Sequence, residues 1–429
     1  MKFLYADSID TVDPDYDFVE ERSKSGRKVY WDDQFPHEYL ESPPYDGILV
    51  SMGIVGDHKF AGKYTQAQSM RFRRVGARKF LRIDKPAFKH LDIYGDCGAF
   101  NYSGLSEPPY KPSEILEFYD DGQFTHGCSV DHVIFQFYTN LKGTETPKDV
   151  KEKTDILNRF EITLSNAEIF LKESKSLKGK FVPIGVVQGW SPDSMANAAD
   201  SLIKMGYEYL AIGGMVPLSA DSILLALDSV SKKIKKDTKI HLLGFAKIDR
   251  IKEFEKYNIF SIDTTSPLLR AFKDSKHNLI MPGKKDDLTY YTAFRIPQST
   301  ENRALMRLIK NNLFSYEEVH IKEKNSLKLL RSFEDGSAQL EETLQSLIEY
   351  SKIYLTDHNY PDKDNSVKLE RLYGDYKKLL QDKPWEKCDC QVCKKCGIQM
   401  AIFRGSNRNK RRGMHNLHVF NNQLKKICN

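Results

Sequence analysis

The chain has 429 residues, of which 40% are hydrophobic and 29% are charged, an ordinary balance for a globular protein that buries a large core. This length exceeds one average domain but suits a single barrel with additions. The first residues carry acidic side chains and lack the apolar stretch of a secretory signal, and no uncharged apolar run approaches about 18 residues. We therefore expect a cytoplasmic protein that does not cross a membrane.

Residues 1–45 are polar and aromatic, which predicts an irregular N-terminal extension. From residue 46, short apolar runs alternate with stretches of helical period. The runs predicted to be strands are residues 47–52, 90–95, 131–137, 181–189, 209–214, 239–245 and 258–263. Buried strands separated by helices indicate an α/β protein with a parallel sheet. Seven or eight such units favour a (β/α)8 TIM barrel over a doubly wound sheet, and we assign this barrel to residues 46–313.

Polar residues follow several of the predicted strands, at the end of a TIM barrel where active sites lie. Asp96 follows the second strand and Asp263 ends the seventh, while Gln188 ends the fourth and Gly213-Gly214 the fifth. Cleavage of a glycosidic bond with retention uses two carboxyl groups, one as nucleophile and one as acid/base. Two aspartates at strand ends suit that chemistry, although either could simply cap a helix or form a turn.

Two later segments have their own character. Residues 314–375 are rich in Leu, Glu and Lys with a helical period, and we predict a helical insertion there. Residues 376–429 contain five of the seven cysteines, and in a chain without an export signal this argues for a metal rather than disulfides. Cys388, Cys390 and Cys393 have the close spacing of thiolate ligands for zinc, with an iron–sulfur cluster as the alternative. The candidates for a fourth ligand are Cys396, His415 and His418.

Basic side chains cluster in two runs that could contact the phosphates of a nucleic acid. The first extends from Arg71 to Arg82, and a solvated helix face explains it equally well. The second lies beside the cysteines, and we predict that it binds nucleic acid. Its arginines are Arg404, Arg408, Arg411 and Arg412.

Five blocks of the sequence resemble, in order, those of tRNA-guanine transglycosylases. They are DCGAF at 96–100, VVQGW at 186–190, YLAIGGM at 209–215, HLLGFAK at 241–247 and FSIDTTSP at 260–267. The three cysteines followed by His415-Asn416-Leu417 resemble the zinc signature of that family. The resemblance covers most of residues 46–300 and 385–429. It implies an enzyme that exchanges a base in a nucleic acid.

The resemblance also implies a role for each matching residue. Asp263 corresponds to the nucleophile that attacks C1′ and displaces guanine, and Asp96 to the general acid/base. Phe100 and Leu243 correspond to the pair that encloses the base, although Phe100 could instead pack in the core. Contacts to the base edge correspond to Gln188, Gly213 and Gly214. Asp131 corresponds less directly, because it begins a predicted strand, and it could instead cap a turn. The structural zinc ligands correspond to Cys388, Cys390, Cys393 and His415.

Several departures distinguish the chain from the tRNA enzymes. Cys97 and Ala99 stand where that family usually has Ser and Gly, and Trp190 replaces a glycine. Together with the helical insertion and the N-terminal region, these features resemble the DNA-modifying branch, whose members insert the deazapurine preQ0 into DNA alongside a partner ATPase. DNA is therefore the expected substrate, with tRNA as the alternative. A non-catalytic, zinc-dependent nucleic-acid-binding subunit is a third possibility, which the presence of both Asp96 and Asp263 disfavours.

Overall fold

The structure is a computed structural model that describes residues 1–177, 181–284 and 287–428. The chain divides into two compact units. Unit 1 comprises Met1–Ile9, Tyr45–Thr265 and the segment from Leu424 onward, and unit 2 comprises Asp10–Pro44 and Ser266–Gln423. These bounds differ from those predicted in two ways. The N-terminal 45 residues are divided between the units, and the long segment of unit 1 that contains most of the barrel ends at Thr265 rather than at residue 313.

Strands and helices alternate through the first part of the chain, and helices dominate the second. The strands are β1 Lys2–Ala6, β2 Gly47–Ser51, β3 Asp92–Asp96, β4 His126–Cys128, β5 Val182–Val187, β6 Tyr209–Ile212, β7 Lys239–Leu242, β8 Ile259–Thr264, β9 Leu279–Pro282, β10 Leu288–Tyr291, β11 Phe294–Arg295 and β12 Ile402–Phe403. The α-helices are α1 Pro36–Tyr39, α2 Met52–Val55, α3 Gln66–Val75, α4 Ala77–Phe80, α5 Pro112–Gly122, α6 Val150–Ser174, α7 Pro192–Met205, α8 Ala220–Ser231, α9 Ser266–Lys273, α10 Arg303–Lys310, α11 Tyr316–Glu334, α12 Leu340–Leu355, α13 Ser366–Asp382, α14 Gln391–Cys396 and α15 Gly405–Cys428. Short 3-10 helices cover Pro86–Phe88, Ile248–Phe254, Pro384–Glu386 and Gly397–Ala401.

Unit 1 is built on a closed barrel in which β1 to β8 are neighbours in chain order. Every pair is parallel, and β1 closes the barrel by pairing with β8. The predicted (β/α)8 TIM barrel is therefore confirmed. Local signals fit this alternation: α7 is capped at its start by Ser191, whose side chain accepts a hydrogen bond from the N–H of Ser194, and at its end by Gly206 with φ 111°.

Two strand predictions were wrong. Strand β1 lies in the segment predicted to be irregular, and it is held because Phe3, Leu4 and Tyr5 are buried. Residues 131–137 form no strand, since the fourth strand is the three-residue β4 and this apolar run follows it. The run buries Ile134 in a side cluster instead of pairing in the sheet. As a result, Asp131 lies beyond the carboxyl end of β4, on the same side of the barrel as the strand ends that carry Asp96 and Asp263.

Unit 2 packs helices around a second hydrophobic core. This core includes Leu330 from α11, Leu344 from α12 and Tyr376 from α13, each fully buried. These three helices coincide with most of the predicted helical insertion at residues 314–375. Two small sheets, β9 with β10 and β11 with β12, complete the unit. Within the described residues, no helix is long and apolar enough to cross a membrane.

Candidate active site and metal site

A cavity of about 160 Å³ lies at the carboxyl ends of the barrel strands. Its lining contains every residue predicted for catalysis or base binding, namely Asp96, Phe100, Asp131, Gln188, Gly213, Gly214, Leu243 and Asp263. These residues come from six different strands or the loops that follow them, as expected for this end of a TIM barrel. The fold thus brings the predicted set together around one cavity.

Asp263 lies one residue before the end of β8 and is 6% exposed. Its Oδ1 accepts hydrogen bonds from the backbone N–H of Gly244 at 2.9 Å and from Nε2 of His241 at 3.1 Å. No donor binds Oδ2 among the residues that the structure describes. One carboxylate oxygen is therefore held in place, and the other is available to a ligand in the cavity.

Asp96 is the last residue of β3 and is partly buried. Its Oδ2 accepts a hydrogen bond from the N–H of Gly98 at 3.0 Å. Burial, followed by the nearby carboxylates of Asp131 and Asp263, raises the pKa of Asp96 to about 7, against the opposing hydrogen bond from Ser51. A carboxyl group with a pKa near neutrality can both donate and accept a proton at physiological pH.

Asp131 is buried, and both of its oxygens have partners. Oδ1 accepts from the Cys97 thiol at 3.1 Å, and Oδ2 accepts from Nε2 of Gln188 at 2.7 Å. The Gln188 oxygen in turn accepts the N–H of Ile134 at 3.2 Å, and the Tyr102 hydroxyl donates to the Asp131 carbonyl at 2.9 Å. Burial raises the pKa of Asp131. This network holds the carboxylate and the amide rigidly at the cavity wall.

Two consecutive glycines allow the Gln188 side chain to occupy its position. A Cβ on Gly213 would lie 2.3 Å from Nε2 of Gln188. Gly214 has φ +69°, and a Cβ there would lie 2.7 Å from the carbonyl oxygen of Ile134. Neither position accepts a side chain without displacing the amide or the loop beside it.

Large apolar side chains stand exposed at the cavity. Phe100 is 61% exposed and Val216 54% exposed, and both line the cavity together with Leu243. Phe135 contacts Phe100 edge to face, with ring centroids 5.3 Å apart. The exposure of Phe100 rules out the alternative that it packs in the core. These surfaces suit contact with the face of a planar ring.

Cys388, Cys390, Cys393 and His415 form a second cluster, in unit 2. Their four ligand atoms all lie within 4.8 Å of one another. The distances from His415 Nδ1 to the three sulfurs are 3.7, 3.3 and 3.4 Å. A tetrahedral ion with metal–sulfur bonds of about 2.3 Å and metal–nitrogen bonds of about 2.0 Å separates sulfur from nitrogen by roughly 3.5 Å. The cluster can therefore hold one metal ion.

The backbone of Ile280 orients the histidine of this cluster. Its carbonyl oxygen lies 2.8 Å from Nε2 of His415, which leaves Nδ1 to face the cysteines. The neighbouring Asn416 accepts the N–H of Ile280 at 2.9 Å through its side-chain oxygen. Two adjacent residues of α15 thus bind both backbone groups of one residue of β9.

No family model matches the chain. A curated relative, the DNA-guanine transglycosylase of Salmonella montevideo, is 37% identical over 428 residues, which cover 99% of this chain and 96% of that protein. The chain belongs to the DNA-guanine transglycosylase branch of the tRNA-guanine transglycosylase superfamily. It is therefore an enzyme of the glycosyltransferase type.

The other two candidates for a metal ligand of this guanine transglycosylase, Cys396 and His418, lie outside the cluster of three cysteines and His415. The sulfur of Cys396 lies 3.7 Å from the Tyr39 hydroxyl and 3.8 Å from a guanidinium nitrogen of Arg411. Nε2 of His418 lies 2.9 Å from the side-chain nitrogen of Asn422. Both residues have other partners, so the geometry selects the set of three cysteines and His415.

The predicted nucleic-acid contacts of the transglycosylase near its C-terminus are wrong. All four residues are at most 3% exposed, namely Arg404, Arg408, Arg411 and Arg412. Arg404 and Arg408 both bind the carboxylate of Glu21, at 2.6 and 2.5 Å, and Arg404 also binds Glu323. Although burial alone would raise it, the hydrogen bonds and charges of the two arginines lower the pKa of Glu21 to about 2.

The other two arginines of this run bind backbone oxygens. Arg411 donates to the carbonyl of Asp13 at 2.5 Å, and Arg412 donates to those of Met400 and Ile402 at 3.1 and 2.9 Å. Burial lowers the pKa of Arg412 to about 9. Buried guanidinium groups with partners inside unit 2 have no surface for phosphates, so this basic run is structural.

Sequence reasoning missed two polar groups of the candidate active site, His241 and Cys97. His241 is fully buried and contacts Asp263, whereas the sequence assigned it no role beyond its place in the HLLGFAK block. The predicted strand at residues 239–245 contained a usable signal. Side chains alternate along a strand, so residue 241 faces the same side as Leu243, which the resemblance places against the base. Cys97, noted only as a departure, also belongs to the site through Asp131.

Proposed function

We propose that this enzyme exchanges guanine in DNA for a 7-deazaguanine base, preQ0 or a close relative, through a covalent intermediate between Asp263 and the nucleotide. The observation that carries the proposal is the cavity at the barrel mouth, where two carboxyl groups in different environments lie beside exposed apolar side chains. The 37% identity to a protein named DNA-guanine transglycosylase supports DNA as the polymer. The alternative substrate is tRNA.

In the first half of the proposed reaction, the free Oδ2 of Asp263 attacks C1′ of the target nucleotide. The bond between C1′ and the guanine nitrogen breaks, and protonated Asp96 donates its proton to the departing base. The pKa of about 7 for Asp96 makes that proton available near neutral pH. An ester between Asp263 and the sugar then keeps the polymer on the enzyme while the bases change places.

In the second half, the incoming base gives its proton to ionised Asp96, and its nitrogen displaces Asp263 from C1′. The bond that forms is of the same kind as the bond that broke, and Asp96 ends in its starting state. The exchange itself therefore consumes no nucleoside triphosphate. A partner ATPase, which the resemblance implies, would act outside these two steps.

Base recognition follows from the same cavity. A base must leave the helical stack to reach buried carboxyl groups, and flat apolar walls compensate part of the lost stacking. Phe100 and Leu243 would contact its faces, while Asp131, Gln188 and the backbone of Gly213-Gly214 would contact its polar edge. Guanine and preQ0 share the amide and amino edge of the six-membered ring, which explains how one wall could serve both.

The bound metal in this proposal is zinc, held by the three cysteines and His415. Zinc prefers thiolate and imidazole ligands at tetrahedral positions, and the ligand distances fit that arrangement. With all four positions filled by protein, the ion would contribute folding free energy and no chemistry.

The test compares cells that carry the gene, cells without it, and cells with the variant Asp263→Asn. Nucleosides from purified DNA and from purified tRNA are quantified separately by mass spectrometry. We expect a 7-deazaguanine in DNA only with the wild-type gene. A modified base confined to tRNA would support the alternative, and modification of DNA by Asp263→Asn at a rate within tenfold of wild type would remove Asp263 from its role.

A further inference from the structure

A chain of buried hydrogen bonds leads through the barrel interior to the carboxylate of Asp263. The Tyr94 and Tyr209 hydroxyls are 3.2 Å apart, and Tyr209 lies 2.5 Å from Oγ of Ser261. That hydroxyl lies 2.6 Å from Nδ1 of His241, whose Nε2 lies 3.1 Å from Oδ1 of Asp263. The four residues behind Asp263 are at most 2% exposed.

When the carboxylate is ionised and the imidazole is neutral, one arrangement of protons satisfies every bond of this chain. The carboxylate can only accept, so Nε2 of His241 carries the proton and Nδ1 accepts from Ser261. Ser261 has then used its own proton and must accept from Tyr209, which in turn accepts from Tyr94. Burial raises the pKa of both tyrosines, so each retains the proton that the chain requires.

The imidazole ring of His241 is fully buried next to the Tyr94 ring, with ring centroids 5.7 Å apart. A fully buried ring with two polar nitrogens costs free energy unless both nitrogens form hydrogen bonds. Both nitrogens of His241 have partners, and one of these partners is the carboxylate oxygen that also accepts the Gly244 N–H. Two donors on the same oxygen fix the rotation of the Asp263 carboxyl group.

We propose that His241 is a positioning residue for the nucleophile. Held in one tautomer by Ser261 and Tyr209, it donates to Oδ1 of Asp263 together with the Gly244 N–H, so that Oδ2 is the oxygen presented to C1′. This inference rests on the proposed role of Asp263 as nucleophile. It adds a residue that the resemblance did not assign, and it predicts that the N–H donor, rather than the bulk of the ring, is what the reaction needs.

Two substitutions at His241 distinguish the effect of its N–H donor from the effect of its side-chain volume. In His241→Gln the side-chain amide can place an N–H where Nε2 lies, whereas His241→Leu fills a similar volume without a donor. The measurement is the single-turnover rate of the covalent adduct between the enzyme and a guanine-containing DNA, trapped by denaturation, with varied DNA concentration. Displacing a reacting group by about 1 Å typically costs about 100-fold in rate.

We expect His241→Leu to lower the maximal rate about 100-fold while the half-saturating DNA concentration changes less than threefold. His241→Gln should stay within about tenfold of wild type. Equal rates for the Gln and Leu variants would overturn the proposal, because packing alone would then explain the effect. If His241→Leu does not fold, Ser261→Ala tests the same chain, since loss of the donor to Nδ1 should reduce the rate without changing DNA affinity.

Asp263→Asn is measured in parallel to keep the two proposals apart. An adduct formed by Asp263→Asn at the wild-type rate would overturn the proposed function itself. No adduct with Asp263→Asn, together with a wild-type rate for His241→Leu, would overturn only the role of His241. Thermal unfolding of each variant, compared with wild type, identifies any loss of rate that follows from instability.

Discussion

The side-chain amide of Gln188 donates a hydrogen bond of 2.7 Å to the carboxylate of Asp131. Each of the two groups has a second partner, since Asp131 also accepts the Cys97 thiol and Gln188 also accepts the N–H of Ile134. The wall that faces the proposed base is therefore assembled before any base arrives. A preassembled wall lowers the entropic cost of binding.

Gln188→Leu should weaken binding of the incoming base. Leucine cannot replace the amide, so Oδ2 of Asp131 and the N–H of Ile134 would lose their partners. The polar edge of the bound base would also lose its contact with the amide, and leaving a buried group unsatisfied costs about 1–3 kcal/mol, which corresponds to a rise in the KM for the free base of roughly 5- to 150-fold. Steady-state exchange with varied free base measures this KM. An unchanged KM would show that the pair plays no part in base binding.

Asp96 should impose opposite pH dependences on the two halves of the reaction. Its pKa is about 7, and guanine departure needs the protonated form, so adduct formation should slow as the pH rises through 7. Consumption of the adduct by an incoming base needs the ionised form and should slow as the pH falls through 7. Single-turnover measurements of each half between pH 5 and 9 test this, and a shared pH dependence would contradict it.

Asp96→Asn should also stabilise the fold at alkaline pH. The folded pKa of about 7 exceeds the ordinary 3.8, so the native state binds more protons between these values and loses stability as the pH rises through that window. The variant removes this dependence. Its melting temperature should exceed that of wild type by a few degrees at pH 8 and match it near pH 2.5, where Asp96 is protonated in both the folded and the unfolded wild-type protein.

Cys390→Ser and Cys396→Ser form a matched pair for the metal site. Both cysteines are buried, but only Cys390 belongs to the four-ligand cluster. We expect Cys390→Ser to lose about one equivalent of zinc and to destabilise unit 2, because metal-binding free energy becomes folding free energy. Cys396→Ser should retain its zinc. Metal analysis of the purified proteins decides, and iron in the wild-type protein would reject the zinc assignment.

Glu21→Gln should destabilise unit 2 at neutral pH. The folded pKa of Glu21 is about 2 against an ordinary 4.5, so its stabilising effect is present above pH 4.5 and disappears as the pH falls towards 2. The corresponding loss is about 3 kcal/mol at pH 7. Denaturant unfolding measures it, with the adjacent and exposed Glu20→Gln as control. Equal stability of the two variants would contradict the importance of the buried ion pairs.

The residues that line the cavity at the barrel mouth were largely predictable from the sequence, since polar residues at the ends of parallel strands meet at one face of a barrel. The positions of Asp96, Gln188 and Asp263 followed from the predicted strands and from the rule that active sites of TIM barrels lie at the carboxyl ends of the strands. The metal site was predictable for a similar reason, because three of its ligands lie within six residues of one another. In both cases the informative residues lie within a few positions of a recognisable element.

The failures concern partners that are distant in sequence. Arg404 and Arg408 form a basic run whose neutralising partner, Glu21, lies more than 380 positions earlier, so no local pattern distinguishes a buried cluster from a phosphate-binding surface. The strand β4 has only three residues, which are too few to show an alternating pattern. The apolar run at residues 131–137 therefore appeared to be the strand. Strand β1 was not predicted because only three buried residues, Phe3, Leu4 and Tyr5, distinguish it from the polar residues that follow.

The two donors on Oδ1 of Asp263 have a stereochemical consequence. With a single oxygen free, the nucleophile approaches the anomeric carbon along one line, and each of the two displacements inverts that carbon. The second inversion restores the β-configuration found in ordinary nucleosides. Throughout the proposed cycle the carbon carries either a base or the enzyme, so no ring-opened sugar aldehyde forms. The adjacent phosphodiester is thereby protected from β-elimination, and the strand remains intact while its base is replaced.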